Sequence, residues 1–210
     1  MHIVWDWNGT LFDDRDAILD ATNEVFRSYG LPPMELDHYR SVYSRPIWAS
    51  YERILGRALE DGEWERLDAA FHDTYHRLME HCGLAAGAQA AIDLLAGKGH
   101  TQSVLSMWRH DRLGVAVREL GIHLAFRRVD GLRAEEAGGE KAEFMVRHLA
   151  ALGVDAADVV MVGDSVDDAA AARHVGARAI LYTGGLQTRV DLDRFGVPVI
   201  DRLSDVTVHI

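Results

Sequence analysis

The stretch HIVWDWNGT, residues 2–10, sets the reading of the whole chain. His2–Trp5 is a short, largely apolar run that ends on a carboxylate at Asp6, with Gly9 and Thr10 just beyond. A run of that length bounded by turn residues reads as a buried strand. Such a strand carries its acid at the carboxyl end, and two residues later, where a second acid would be useful, stands Asn8.

Working outward, the pattern changes at Asp14. AILDATNEVFRSYG, MELDHYRSVY, IWASYERILG and EWERLDAAFHDTYHRLMEH repeat apolar residues three and four apart between Gly and Pro breaks, which predicts four amphipathic helices and no strand. Beyond Gly83 the helix AAGAQAAIDLLAGKG leads into the strand TQSVLS, the helix DRLGVAVRELG and a short strand near Ala125–Val129. The helix EKAEFMVRHLAALG then precedes the strands DVVMVGD, ARAILYT and VPVID. Strands alternating with helices predict a doubly wound parallel α/β sheet with right-handed crossovers. The expected organisation is an α/β core domain over residues 1–13 and 84–210, interrupted by an α-helical cap over 14–83.

Composition narrows the function classes. With 48% hydrophobic residues in 210 the chain can bury a core, and a net charge of −11 argues against nucleic acid or an anionic membrane surface as partner. Cys82 is the only cysteine, which excludes an intramolecular disulfide and a Cys-rich metal site. No apolar run approaches the roughly 20 residues of a membrane span. The first strand starts at His2 and leaves no room for a leader, so a cytoplasmic protein is expected, as monomer or homodimer.

In an open parallel sheet, ligands bind beyond the carboxyl ends of the strands. Those ends offer Asp6, Ser106 from SVLS, and Asp164 from VVMVGD, with Ser165 and Asp168 just past it. Lys141, opening the helix before that strand, lies near the same rim. Carboxylates converging there repel one another unless a cation lies between them, and hard oxygen ligands select Mg²⁺.

DWNGT, Ser106, Lys141 and GDSVDD, in this order around a helical insertion, resemble the four motifs of the haloacid dehalogenase superfamily, and its phosphoglycolate-phosphatase-like hydrolases most closely. The resemblance spans essentially the whole chain, including ILYTGG and LDRFGVPVID. It implies a Rossmann-like core and a phosphatase acting on a small phosphorylated metabolite. It implies Asp6 as the nucleophile that forms an aspartyl-phosphate. It further implies Mg²⁺ held by Asp6, the main-chain carbonyl of Asn8 and Asp164, with Asp168 nearby, and Asp167 facing solvent. Ser106 would hydrogen-bond a phosphoryl oxygen, and Lys141 would pair with the phosphoryl group and Asp6. Thr10 orients the first loop, and Gly9 lets it turn where a side chain would obstruct the phosphate. The chain departs from the family in GGEKAE, where Lys-Pro is common, and at Asn8, where phosphatases usually carry an acid–base Asp.

Asn8 cannot titrate, and the proton transfer it forgoes is worth roughly 10²–10⁴-fold. Three readings follow: a slow phosphatase, or one borrowing a base such as His38, His72 or His76; a branch with other chemistry; or a protein that binds a phosphorylated ligand with little turnover. The acids of GDSVDD speak against metal-free dehalogenation. The absence of lysine between Asp14 and Gly83 removes Schiff-base phosphonate cleavage. Within the insertion Arg45 stands out, because SRPIW breaks the helical pattern and Pro46 favours an extended residue before it, where an Arg can bind a substrate anion. Tyr43 and Trp48 read as packing groups or pocket lining, Met107 and Trp108 as an apolar pocket floor, and Trp5 and Trp7 as packing around Asp6. His72 and His76, four apart without a third ligand, read as surface residues.

Overall fold

A computed structural model describes residues 1–133 and 140–210. The chain divides into two compact units, one comprising Met1–Asp13 with Gly83–Ile210 and the other Asp14–Cys82.

The first unit is a six-stranded sheet in the order β3-β2-β1-β4-β5-β6, from β1 (His2–Trp5), β2 (Thr101–Arg109), β3 (Val129–Leu132), β4 (Val159–Gly163), β5 (Arg178–Tyr182) and β6 (Val199–Ile200). Every pairing is parallel. β1 and β4 are buried along their whole length, which explains why they read as near-continuous apolar runs rather than alternating ones. Val4 lies opposite Ser103 on one side and Met161 on the other. The strand order reverses beside β1, so the carboxyl ends of β1 and β4 flank the switch point where α/β sheets bind ligands.

The helices of this unit are α5 (Ala88–Gly97), α6 (His110–Glu119), α7 (Lys141–Leu152), α8 (Val166–Val175) and α9 (Arg189–Asp193). Phe144, Met145 and Leu149 of α7 and Ala169, Ala171 and Ala172 of α8 pack with Val4, Leu105 and Met161. Burying each large aliphatic of this cluster contributes about 1.5–3 kcal/mol. The α8 segment carries no apolar stripe to announce a helix, because alanine suffices to fill its contact with the sheet. The strand expected at Ala125–Val129 is displaced. His123–Ala125 forms a 3-10 turn with Leu124 exposed, and β3 starts at Val129, where pairing to β2 begins through Arg127 N to Gln102 O (2.8 Å) and Val104 N to Arg128 O (2.9 Å).

The second unit is wholly helical: α1 (Arg15–Arg27), α2 (Leu36–Val42), α3 (Ile47–Leu55) and α4 (Glu63–Leu78). Val25 and Phe26 of α1, Tyr51 of α3 and Leu67 of α4 form its main core, with Phe26 and Tyr51 edge-on at 5.0 Å. Buried Glu63 accepts two bonds from Arg57, one from Tyr29 and one from Glu60 N, a set that holds its carboxyl down at about 2.

Candidate active site

The end of β1 builds the centre of the site. Asp6 N still bonds Val162 O of β4 at 2.8 Å, so the backbone stays on the ladder while the side chain projects past it. The chain then turns sharply: Trp7 O accepts from Thr10 N (3.2 Å) and Phe12 N (2.9 Å), and the Trp7 and Phe12 rings stack at 5.3 Å. Thr10, fully buried, places its hydroxyl 3.4 Å from Asp6 Oδ2 and 3.3 Å from Asp164 Oδ1. Gly9 takes the left-handed conformation (φ 73°), and a Cβ there would lie 2.7 Å from Asp164 Oδ2.

β4 supplies the second half. Asp168, in the first turn of α8, folds back so that its Oδ2 accepts from Ser165 N (3.0 Å) and Ser165 Oγ (2.7 Å). That return path exists because residue 163 is glycine; a Cβ there would overlap the Asp168 carboxyl. Lys141, the first residue of α7, sends its ammonium between Asp6 Oδ1 and Asp168 Oδ1 and contacts both. All three groups are buried. One oxygen each of Asp6, Asp164 and Asp168 lies within 4.8 Å of the others.

Electrostatics follow from this packing. Burial pushes the Asp6 carboxyl up to about 6; attraction to Lys141 opposes the rise and the Asp168 carboxylate adds to it. Burial alone would lower Lys141, but the Asp168 and Asp6 carboxylates outweigh it and hold the ammonium above its ordinary range. Three carboxylates against one ammonium leave a deficit of positive charge in a water-poor rim. A divalent cation would correct it, and a donor set made only of hard oxygens fits Mg²⁺ rather than a soft metal.

Other candidate residues are placed as follows. Asn8 is half-buried and bridges to Phe12. Ser106 is buried, but β2 does not end there: the strand runs on to Arg109 across a register shift after Leu105, and Ser106 Oγ accepts from Trp108 N at 3.0 Å. Met107 packs against the core cluster of the sheet. Asp167 is half-buried. In GGEKAE, Gly138 and Gly139 lie outside the described residues.

Trp5 and Trp7 are fully buried, Trp5 donating to Gln102 Oε1 at 2.8 Å. In the helical unit Arg45 is exposed, before a cis bond to Pro46, and Tyr43 packs edge-on against Tyr39. Trp48, read as packing or pocket lining, is 44% exposed at the start of α3. His72 is exposed and bonded to Asp68 O.

Sequence reasoning missed the loop after β5. Gly185 comes so close to Asp164 that a Cβ would overlap its carboxyl, and Gln187 Oε1 accepts from Val166 N at the start of α8 (2.8 Å). The Gly184-Gly185 pair following an apolar run was the available signal.

The model of the haloacid dehalogenase-like hydrolases matches residues 3–182. The chain belongs to this family. It is 27% identical to a probable phosphatase of Dickeya dadantii, covering 97% of this chain and 90% of that protein. It is also 27% identical to a phosphoglycolate phosphatase of Caulobacter vibrioides, over 87% of this chain and 79% of the relative. Among solved structures, a haloacid dehalogenase-like family hydrolase from Streptococcus pneumoniae superposes with a TM-score of 0.83 at 18% identity, covering 99% and 97% of the two chains. At that identity the likeness speaks for the fold, and the fold is the doubly wound α/β core of this family.

Proposed function

We propose that the protein is a Mg²⁺-dependent phosphatase that hydrolyses a small phosphomonoester through an aspartyl-phosphate on Asp6. The observation that carries this reading is the Lys141 ammonium held between buried Asp6 and Asp168, with the Asp164 carboxylate closing an all-oxygen cluster. Relatives that act as phosphoglycolate phosphatases support it. Asp6, Asp164 and the Asn8 carbonyl would hold Mg²⁺, with Asp168 adjacent. When bound, the ion supplies charge neutralisation for the phosphoryl oxygens.

An Asp6 carboxylate oxygen attacks phosphorus, and the ester P–O bond breaks. The leaving oxygen takes its proton from water, because Asn8 can donate a hydrogen bond but no proton. Water then attacks the phosphorus of the aspartyl-phosphate, which releases inorganic phosphate and restores the carboxylate. Lys141 stabilises charge on the phosphoryl group and holds Asp6 Oδ1 in place. Ser106 accepts from Trp108 N–H and keeps its own proton to donate to a phosphoryl oxygen.

The test is hydrolysis of p-nitrophenyl phosphate, phosphoglycolate and a panel of sugar phosphates, with Mg²⁺ and with EDTA, by wild type and Asp6→Asn. Turnover that needs Mg²⁺ and disappears in Asp6→Asn is expected. Phosphate binding without turnover in wild type, with turnover gained by Asn8→Asp, would overturn the reading.

A further inference from the structure

Away from the rim, a second polar system lies inside the α/β unit. His148 of α7 places Nδ1 2.7 Å from Asp130 Oδ2 on β3 and Nε2 2.8 Å from Ser103 Oγ on β2. Ser103 Oγ is also 2.8 Å from His2 Nε2 on β1, and His2 Nδ1 is 2.8 Å from Thr101 Oγ1. Asp130 Oδ2 additionally contacts Arg128 Nε. The Ser–His–Asp order is that of a hydrolytic relay, but Ser103 has no exposed surface, so no substrate reaches it. The system must therefore act through structure.

Its hydrogens determine what it holds. Ser103 has one proton to place between two imidazole nitrogens, so one ring must present an N–H to it. With both rings neutral, Thr101 donates to His2 Nδ1 and His2 Nε2–H to Ser103. Ser103 then donates to His148 Nε2, and His148 Nδ1–H to Asp130. Every group is satisfied, and each bond needs its partner within hydrogen-bond reach, a condition met at one axial setting of α7. Apart from Lys141, the rest of the buried face of α7 is Phe144, Met145 and Leu149, whose packing is non-directional and resists sliding far less sharply.

Lys141 and His148 are the two buried polar side chains of α7, two turns apart on one face, about 10 Å along the axis. We propose that His148 is a positioning residue: its bonds to Ser103 and Asp130 set the axial position of α7 and thereby place the Lys141 ammonium between Asp6 and Asp168. The consequence for turnover rests on the phosphatase reading; the positional claim does not.

The chain has two lysines, Lys98, which is exposed, and Lys141. Selective ¹⁵N-lysine labelling therefore gives two side-chain ammonium signals, of which the buried Lys141 signal exchanges slowly with water. The double variant Ser103→Ala/His148→Leu removes both polar partners together and leaves Asp130 with Arg128, so that His2 Nε2 is the one buried group of the system that loses its partner. Leu149→Ala is the control, a loss of apolar packing on the same helix. Both are compared at the same interval below their own Tm.

The expected result is Lys141 exchange at least tenfold faster in the double variant than in Leu149→Ala. His148→Gln, which keeps one donor and one acceptor, is expected to stay close to wild type. Should the double variant not fold, Asp130→Ala is expected to show the same fast exchange. Equal exchange in the positional variants and Leu149→Ala would overturn the proposal, as would a His148→Gln variant that behaves like the double variant. If wild type hydrolyses phosphomonoesters, kcat is expected to fall at least tenfold in the double variant with KM within twofold. If it does not, the phosphatase reading fails while the exchange experiment still decides the positional one.

Discussion

Substituting Gly9 by alanine isolates how the first loop shapes the acid cluster. Gly9 has φ 73°, and a Cβ would lie 2.7 Å from Asp164 Oδ2, 2.9 Å from its Cγ and 3.1 Å from Gly185 Cα. Two effects add. The left-handed backbone costs a non-glycine residue about 1–2 kcal/mol. The contact forces the Asp164 carboxylate and the Gly9 loop apart, with Gly185 Cα crowding the same Cβ. Gly121 separates the two effects: it has φ 75°, lies in the same α/β unit, and its Cβ would meet nothing within 4 Å.

The shared backbone cost is expected to lower Tm by about 2–8 °C in Gly121→Ala, at about 2–4 °C per kcal/mol for a chain of this size, and the added contact to lower it further in Gly9→Ala. Gly9→Ala alone is expected to weaken Mg²⁺ binding at least tenfold, equivalent to about 1.4 kcal/mol. Isothermal titration of Mg²⁺ into each folded variant, beside thermal melts, makes the comparison. Wild-type Mg²⁺ affinity in Gly9→Ala would refute the argument that this glycine shapes the acid cluster. A matching loss of affinity in Gly121→Ala would refute it too, by showing that backbone strain alone suffices.

Lys141→Met leaves Asp6 and Asp168 facing each other without a cation, and breaking a buried pair in this way costs about 3–5 kcal/mol; thermal melts with and without Mg²⁺ are expected to show a large Tm loss that the metal partly restores. Burial depresses His2 from 6.5 to about 4, helped by repulsion from His148 and Arg127. The unfolded chain therefore takes up a proton between those values that the folded one refuses, and stability is lost as pH falls from 6.5 to 4. His2→Gln is expected to flatten that part of the pH–Tm curve relative to wild type. Ser106→Ala is expected to lower kcat about tenfold or more with little change in Tm, read by steady-state kinetics beside melts; an unchanged kcat would remove Ser106 from phosphoryl contact.

Much of the fold was legible because it rests on local pattern. Apolar runs of strand length alternating with helical periodicity, as in TQSVLS followed by DRLGVAVRELG, specify a parallel α/β sheet whatever the side-chain detail. The acids could be picked out because each follows such a run: Asp6 after HIVW, Asp164 after VVMVG. The pattern failed where local signals were weak. α8 buries alanines that leave no apolar stripe, and β3 starts later than its sequence suggests because pairing to β2 sets its first residue.

By itself, then, the sequence determined the alternation of elements, the family and the residues available at the strand ends, since these follow from periodicity and from motif order along the chain. Only the tertiary structure decided how those residues meet. Strand order sets β4 beside β1 and so brings Asp164 to Asp6; Gly163 lets Asp168 turn back onto Lys141; Gly185 walls Asp164. His148 meets Ser103 and Asp130 in the same way. These contacts join residues far apart in sequence, and neither propensity nor periodicity encodes them. They arise when the sheet's packing places side chains within the few ångströms over which hydrogen bonds and ion pairs act.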